Sequence, residues 1–390
     1  MRTTALCSLA LLGTAAAAVM RRDDCPAPDV NPFEGRRVTV SHGYAGQLEQ
    51  TFDSFIAAND TLNARKVRTV QNTGTFVWAP SISGLDALDA TISAARAEQI
   101  QGGVDQIVGL VLYNVPDRDC SAGESAGELS GTDGLRRYKD EYVDAWADRL
   151  SRASDLTFAI VIEPDAIGNM VTNEGIPFCA QAKPIQEEAI AYALQKLQFD
   201  NVHLYIDISH GGWLGWADNL PLTAQQAGKI VRMAGNDTKI RGFVTNVSNY
   251  NPFQAEVRED YTEWNPSWDE DNFARSLAPF LEQEGLPARF IIDQSRVHLP
   301  GAREEWGEWC NVYPAGLGKQ GLTDANPLID SLVWVKPPGE SDGQCGMPGA
   351  PRAGAWFNDY MIMLVENAHE SIVPADSLER ARQPWWPNKN

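Results

Sequence analysis

Positive charge is in short supply in this sequence. Lys and Arg total 32 against 52 Asp and Glu, a net charge of −20, which repels phosphate backbones and anionic lipid. Nucleic acid and membrane surfaces are therefore excluded as expected partners. Metal-site spacing is also missing. The 5 His are scattered and neither C-x-x-C nor His-x-x-x-His occurs, so neither metal nor cofactor is expected. No strand-like run is followed by Gly-x-Gly-x-x-Gly, which weakens any nucleotide-binding version of an α/β fold. No apolar stretch approaches the roughly twenty residues that cross a bilayer. No Gly/Ser or Pro/Thr linker divides the 390 residues, so one large domain is expected.

What is present begins with a leader. MRTTALCSLALLGTAAAA, residues 1–18, has a basic start at Arg2, an apolar run from Ala5 to Leu12, and small residues at Ala16 and Ala18, the pattern of a secretory signal peptide. VMRR, residues 19–22, reads as a dibasic propeptide site, leaving 23–390 as a single mature domain, secreted and extracellular. Removal of Cys7 leaves Cys25, Cys120, Cys179, Cys310 and Cys345, which suits an oxidising compartment, with one cysteine unpaired and several pairings open. Asn59, Asn236 and Asn246 head glycosylation triplets.

Short β-rich runs recur along the rest: TFVWAPS, GLVLYNVPDRD, LTFAIVIEPD, NVHLYIDISH, IRGFVTNVSNYN, ARFIIDQSR and SLVWVKPPGE. Each ends in polar or acidic residues, and amphipathic helices lie between them. Leu135, Tyr138, Tyr142, Trp146 and Leu150 line one helical face. Pro184 reads as the first residue of a helix through IQEEAIAYALQKL. Further helices are expected at 83–100, 223–234, 272–284 and 354–368. Asp119, Asp165, Asp207, Asn246, Asp293 and Lys336 follow one another at intervals that each fit a strand, a loop and a helix. Strands apolar on both faces and alternating with helices imply a parallel sheet covered by helices. The expected architecture is a β/α barrel, whose strand ends gather on one face where active sites form.

Asp119, Asp165, Asp207, Asp293, Lys336 and Asp342 would meet at that mouth. Carboxylates around a cleft, without metal ligands or a Ser-His-Asp order, suit proton transfer. Glycoside hydrolysis fits, because it needs one carboxylic acid kept protonated and an ionised partner near the attacking water. Trp is abundant at 12. Trp78, Trp213, Trp216, Trp306 and Trp309 sit near strand ends, and WLGW and WGEW lie in Gly-rich turns. Indole faces of this kind stack on pyranose rings.

With YNVPDRDC, VIEPDAIGNMVTN, IDISHGGWLGW, GFVTNVSNYN, DQSR, WGEWCN and WVKPPGESDG in hand, the chain resembles glycoside hydrolase family six from NPFEG at 31 onward. The resemblance implies a distorted seven-stranded β/α barrel and an inverting hydrolase of β-1,4-glucosidic bonds in cellulose and cellooligosaccharides. It makes Asp165 the general acid, with Asp119 beside it raising its pKa. Asp342 is one of two proposals for the base, the other being a water chain toward Asp119. Tyr113 presses on the distorted sugar, Ser125 holds the water, and Arg118 is expected to pair with the carboxylates. Trp78 and Trp309 would stack on the non-reducing side, and Trp213 and Trp216 on the leaving-group side, with Trp306 a further contact. His210, Asn246, Asn249, Lys336 and Glu340 would bind hydroxyls. Disulfides Cys120 to Cys179 and Cys310 to Cys345 are implied, leaving Cys25 free. The expected partner is a β-1,4-glucan, and the chain is expected to act as a monomer.

Between WVKP and AGAWF the chain has only PGESDGQCGMPGAPR, shorter than a closed tunnel roof in this family needs. A partly open tunnel releasing mainly cellobiose is the expectation, with an open-cleft endoglucanase as the alternative. A catalytically dead carbohydrate-binding barrel would lack the acid or the DRDC aspartate, and both are present. No cysteine-rich carbohydrate-binding module accompanies the domain in this sequence.

Overall fold

The runs VLYN, AIVI and LYID are strands because each is apolar on both faces, and only a sheet packed on both sides buries both. The computed structural model describes residues 30–319 and 321–380. The regions read as signal peptide and propeptide, and Cys25, lie outside the described residues. Nine strands form one sheet: β1 (Arg37–Val38), β2 (Val77–Ala79), β3 (Gln106–Leu112), β4 (Thr157–Ile162), β5 (Val202–Asp207), β6 (Gly242–Thr245), β7 (Phe290–Asp293), β8 (Leu322–Asn326) and β9 (Ile329–Val333). All seven β-rich runs of the sequence are strands in it.

Neighbours from β2 through β3, β4, β5, β6 and β7 to β9 pair in parallel. The sheet curls until Phe76 N–H reaches the Trp334 carbonyl at 3.0 Å. Among the described residues no ladder joins β2 to β9, so the barrel is distorted at this seam. Sequence reading missed β1 and β8. β1 has two residues and lies along the start of β3, and β8 is LTDAN, largely solvent-facing and antiparallel to β9. Neither carries an apolar pattern.

Alternation sorts the strand side chains into two cores. Ile107, Val111, Ala159, Val161, Tyr205, Val244, Ile291 and Val333 fill the barrel interior with Phe33 and Phe76. Val108, Leu110, Leu112, Phe158, Ile160 and Ile162 face the helices. Each fully buried aliphatic side chain is worth about 1.5–3 kcal/mol. Gly109 stands in the inward register, and a Cβ there would meet Phe76 Cδ1 at 2.3 Å. That glycine makes room for the ring beside the seam.

The helices follow the expected amphipathic stretches, with one correction. The helix assigned to start at Pro184 runs Pro177–Lys196, with Pro177 in its first turn and Pro184 inside. Pro184 has no N–H for the fourth preceding carbonyl. The helix continues because Cys179, Ala182, Gln186 and Ile190 are buried across that point. The expected 354–368 helix is shorter, Asn358–Glu366, and His42–Ala57 and Thr61–Val70 were not foreseen. From Pro32 onward the described residues form one compact unit.

Gly109→Ala is expected to cost roughly 1–3 kcal/mol through overpacking against Phe76, measured as a lowered denaturation midpoint without loss of two-state unfolding.

Candidate active site

The loops after the strands begin with backbone that L-residues rarely adopt. Asp117, Asp119, Glu163, Asp165, Ser209, Asn246 and Ser248 all have φ between 46° and 67°, a strain that persists only where surrounding bonds fix it. Buried carboxylates supply those bonds. Asp207 Oδ1 accepts the N–H of Asp165 at 2.9 Å and of Ser209 at 3.0 Å. Glu163 accepts from Asn114 and Val115 N–H and from the Tyr138 hydroxyl. Asp293 accepts from Ser248, Ser295 and Lys336 N–H. Each carboxylate on one strand thereby ties down a loop of its neighbour.

This separates the acidic residues that the sequence had grouped. Asp207 and Asp293 are buried supports beneath the mouth, and neither lines the cleft. Asn246 is a correction to the expected substrate contacts. It is 0% exposed, its Nδ2 donates to the Asn251 and Asp293 carbonyls, and its Oδ1 accepts from Asn251 N–H. With both polar atoms satisfied inside, it cannot reach a sugar or accept a glycan.

The upper tier lines a cleft of about 1280 Å3 that includes Asp119, Asp165, Asp342, Tyr113, Ser125, Arg118, Trp78, His210, Trp213, Trp216, Asn249, Trp306, Trp309, Lys336 and Glu340. Asp165 occupies the N-cap position of the helix Ala166–Thr172, yet its side chain makes no capping hydrogen bond. Its carboxyl is left to the cleft. It is pushed up to about 7 by burial first, then by Asp119 and Asp342, with Lys336 opposing. Asp119 Oδ2 accepts from Ser125 N–H at 2.7 Å and Ser125 Oγ at 3.1 Å. Ser125 Oγ also lies 2.8 Å from the Tyr113 hydroxyl.

Asp342 is held differently. Its Oδ2 receives Arg296 at 2.8 Å, Asn311 N–H at 2.9 Å and the Tyr250 hydroxyl at 3.1 Å, while Oδ1 lies 3.7 Å from Lys336 Nζ. Burial alone would raise its pKa. Arg296 and Lys336, with the bonds from Arg296 and Asn311, outweigh burial and hold it below the ordinary value. Among the described residues Arg118 makes no ion pair with a carboxylate, contrary to expectation. Its guanidinium donates instead to backbone oxygens, the Ser125 and Tyr113 carbonyls of its own loop and the Pro80 carbonyl after β2, and it lies over the Tyr113 ring.

In sheet order, Trp78 on β2 and Lys336 after β9 flank the aspartates on one side, and His210 and Trp213 after β5 flank them on the other. The indole N–H groups of Trp78, Trp213 and Trp216 are bonded to Val335 O, Thr172 Oγ1 and Gly212 O, which fixes the planes of those rings. Gly212 lets Trp306 close on the 211–214 turn, since a Cβ would meet its ring at 2.0 Å. Burial and Arg303 lower His210 to about 3, leaving a neutral imidazole. Cys120–Cys179 and Cys310–Cys345 are bonded, the first anchoring the Asp119 loop to the helix Pro177–Lys196 and the second closing the Asp342 loop.

This cleft, on this barrel, has known counterparts. The profile described as Glycosyl hydrolases family 6 matches residues 33–368. The chain belongs to glycosyl hydrolase family 6. It is 51% identical over 396 residues to 1,4-beta-D-glucan cellobiohydrolase CEL6B of Podospora anserina, covering 99% of this chain and 92% of that protein. It is 54% identical over 346 residues to Endoglucanase-6B of Humicola insolens, covering 88% and 99%. A solved structure of CcCel6C, a glycoside hydrolase family 6 enzyme from Coprinopsis cinerea, superposes with a TM-score of 0.86 at 43% identity, covering 89% of this chain and 100% of that one.

Sequence reading passed over the residues that hold this family 6 site from behind. Arg296 stood within the quoted DQSR motif without a role, and Glu163 within VIEPD. Asn311, which brackets Asp342 through N–H and Oδ1, stood within WGEWCN without a role, and Arg303, which donates to Asn249 at 3.0 Å, lies in none of the quoted motifs.

Glu163, Asp165, Glu270 and Glu340 are all raised to about 7, first by burial, from ordinary values of 4.5 for Glu and 3.8 for Asp. Between those values the folded chain keeps protons that the unfolded chain releases, so stability falls as pH rises. His203 and His210, lowered by burial to about 4 and about 3, act in the opposite sense only below the ordinary His value of 6.5, and Asp342, with its lowered pKa, does so only below the ordinary Asp value; the four raised acids outnumber them. The unfolding temperature is therefore expected to decline by several degrees from pH 5 to pH 8 in calorimetry. Glu163→Gln, which keeps an oxygen for Asn114 or Val115, should flatten that decline.

Proposed function

We propose that this family 6 hydrolase is a secreted, monomeric, inverting β-1,4-glucanase that cleaves cellulose and cellooligosaccharides and releases mainly cellobiose through a partly open tunnel. The observation that carries the reading is one carboxyl, Asp165, raised to about 7 beside Asp119 in a cleft walled by indoles. A carboxylic acid at that value still holds its proton at pH 5, where a solvated aspartate would not. Asp165 gives the proton to the glycosidic oxygen as the C1–O bond breaks. Asp119 carries the opposing negative charge near the sugar ring.

Water adds to C1 from the other face, giving the α-anomer. Asp342 is ionised but heavily engaged by Arg296, Asn311 and Tyr250, which makes it a poor proton acceptor. The water's proton therefore passes toward Asp119, with Ser125 and Tyr113 holding the water in line. Trp78 and Trp309 carry the non-reducing side, and Trp213 and Trp216 the leaving group. Trp306, His210, Asn249, Lys336 and Glu340 supply the remaining contacts. The names of the relatives, a cellobiohydrolase and an endoglucanase, support the substrate class. The short 338–352 roof favours an endoglucanase as the second reading. A steep early fall in the viscosity of carboxymethyl cellulose relative to reducing sugar would select it.

Asp165→Asn is expected to lower cellotetraose turnover by roughly 10²–10⁴-fold, the usual worth of a positioned acid, while calorimetric binding of cellotetraose persists. Retained turnover would remove Asp165 from its role. The descending limb of the pH–rate profile should fall near 7. Proton NMR of fresh product should show the α-anomer first, and an initial β-anomer would contradict inversion.

A further inference from the structure

Two loops that bound the cleft, one after β3 and one after β9, meet at Glu124 and Gln344. Glu124 projects from the exposed loop after β3, and its Oε2 accepts the backbone N–H of Gln344 at 3.2 Å. Gly343 allows this approach, since a Cβ there would sit 2.6 Å from Glu124 Oε2 and 3.1 Å from Glu124 Cβ. The loop carrying Glu124 also carries Asp119 and Ser125. The loop carrying Gln344 also carries Asp342. Glu124, Asp119 and Asp342 all line the same cleft, so the Glu124 bridge joins two of the loops that bound it.

The two ends of the bridge are unequally held. On the receiving side, the Gly343 carbonyl accepts from Asn311 Nδ2 at 2.9 Å and Ser341 Oγ at 3.0 Å, the Cys345 carbonyl accepts from Asn311 Nδ2 at 3.0 Å, and Cys310–Cys345 closes the segment. This is a fixed post. On the other side Ser121 to Glu124 is exposed, and beyond Cys120 the loop is held by the Gly123 N–H to the Asp119 carbonyl at 3.0 Å, by Ser125 to Asp119 and Tyr113, and by Arg118 to the Ser125 carbonyl. Among the described residues no bridge to a neighbouring strand's carboxylate holds 121–124. Glu124 is the movable bar.

We propose that Glu124 is a specificity-determining latch for this glucanase. While it is bonded to Gln344, a glucan must thread in from its end. When it is released, an internal stretch can be laid in from the side. The inference rests on the glucanase reading above and names the residue that sets its mode of attack. One exposed hydrogen bond biases such a balance by only roughly 2- to 10-fold, so terminal and internal cutting coexist in one enzyme.

The test compares wild type, Glu124→Ala and Glu124→Gln for internal cuts, read as viscosity loss of carboxymethyl cellulose per reducing end released. Each value is normalised to that variant's own turnover of cellotetraose, which is short enough to thread in either state. Glu124→Ala should raise the ratio roughly 2- to 10-fold, the bias one hydrogen bond supplies. Glu124→Gln, which keeps an acceptor oxygen, should stay near wild type. An unchanged ratio in Glu124→Ala overturns the proposal, and so does an equal rise in both variants, which would make charge rather than the bond the cause. Wild type inert on both substrates would sink the glucanase reading and the latch together, whereas an active wild type with an unmoved ratio sinks the latch alone.

Discussion

Buried carboxylates accepting backbone N–H groups hold the mouth of this barrel in its working shape. Left to itself, the chain at Asp119, Asp165, Asn246 and Ser248 would leave the positive-φ region, where an L-residue gives up of order 1 kcal/mol or more. Asp207 under Asp165, Glu163 under Asn114 and Val115, and Asp293 under Ser248 and Lys336 offset that cost with charge-capable acceptors inside a low-dielectric layer. Because each acceptor sits on a neighbouring strand, the loops are fixed relative to one another. The site is therefore assembled by the sheet's lateral order rather than by any one loop.

The same layer sets the electrostatics above it. Asp165, with no cationic partner within hydrogen-bond reach among the described residues, is raised by burial first and then by Asp119 and Asp342. Asp342, in the same cleft, is surrounded by Arg296, Lys336 and Asn311, and is lowered. Two identical side chains are thus driven in opposite directions by what stands behind them. That contrast lets a single pH support a proton donor and an anion side by side. The aromatic walls contribute rigidity, since the bonded indoles of Trp78, Trp213 and Trp216 keep their planes without a ligand.

The loops above the cleft show how little restrains access. One side is closed by Cys310–Cys345 and by the Asn311 bracket, and the other is anchored at Cys120–Cys179 but continues as solvent-exposed chain from Ser121 to Glu124. Under the latch proposal, mode of attack on a long polymer turns on a few surface atoms, whereas bond cleavage turns on the buried layer.

The sequence by itself determined the parallel strands, because runs such as GLVLYN and LTFAIVI are apolar on both faces, and it determined the acidic and aromatic residues that follow them, because those motifs are contiguous. The helix start at Pro184 misled, since local proline preference yielded to the buried face of Pro177–Lys196. Only the tertiary structure decided which acids face the cleft and which support it. Asp165 and Asp207 look alike in sequence, each following an apolar run, but Asp165 lies three residues past β4 and faces the cleft, whereas Asp207 is the last residue of β5 and tucks under its neighbour's loop. That choice is fixed by backbone N–H groups far away in the chain, and so are the ring around Asp342, the inward turn of Asn246 and the reach of Glu124 to Gln344.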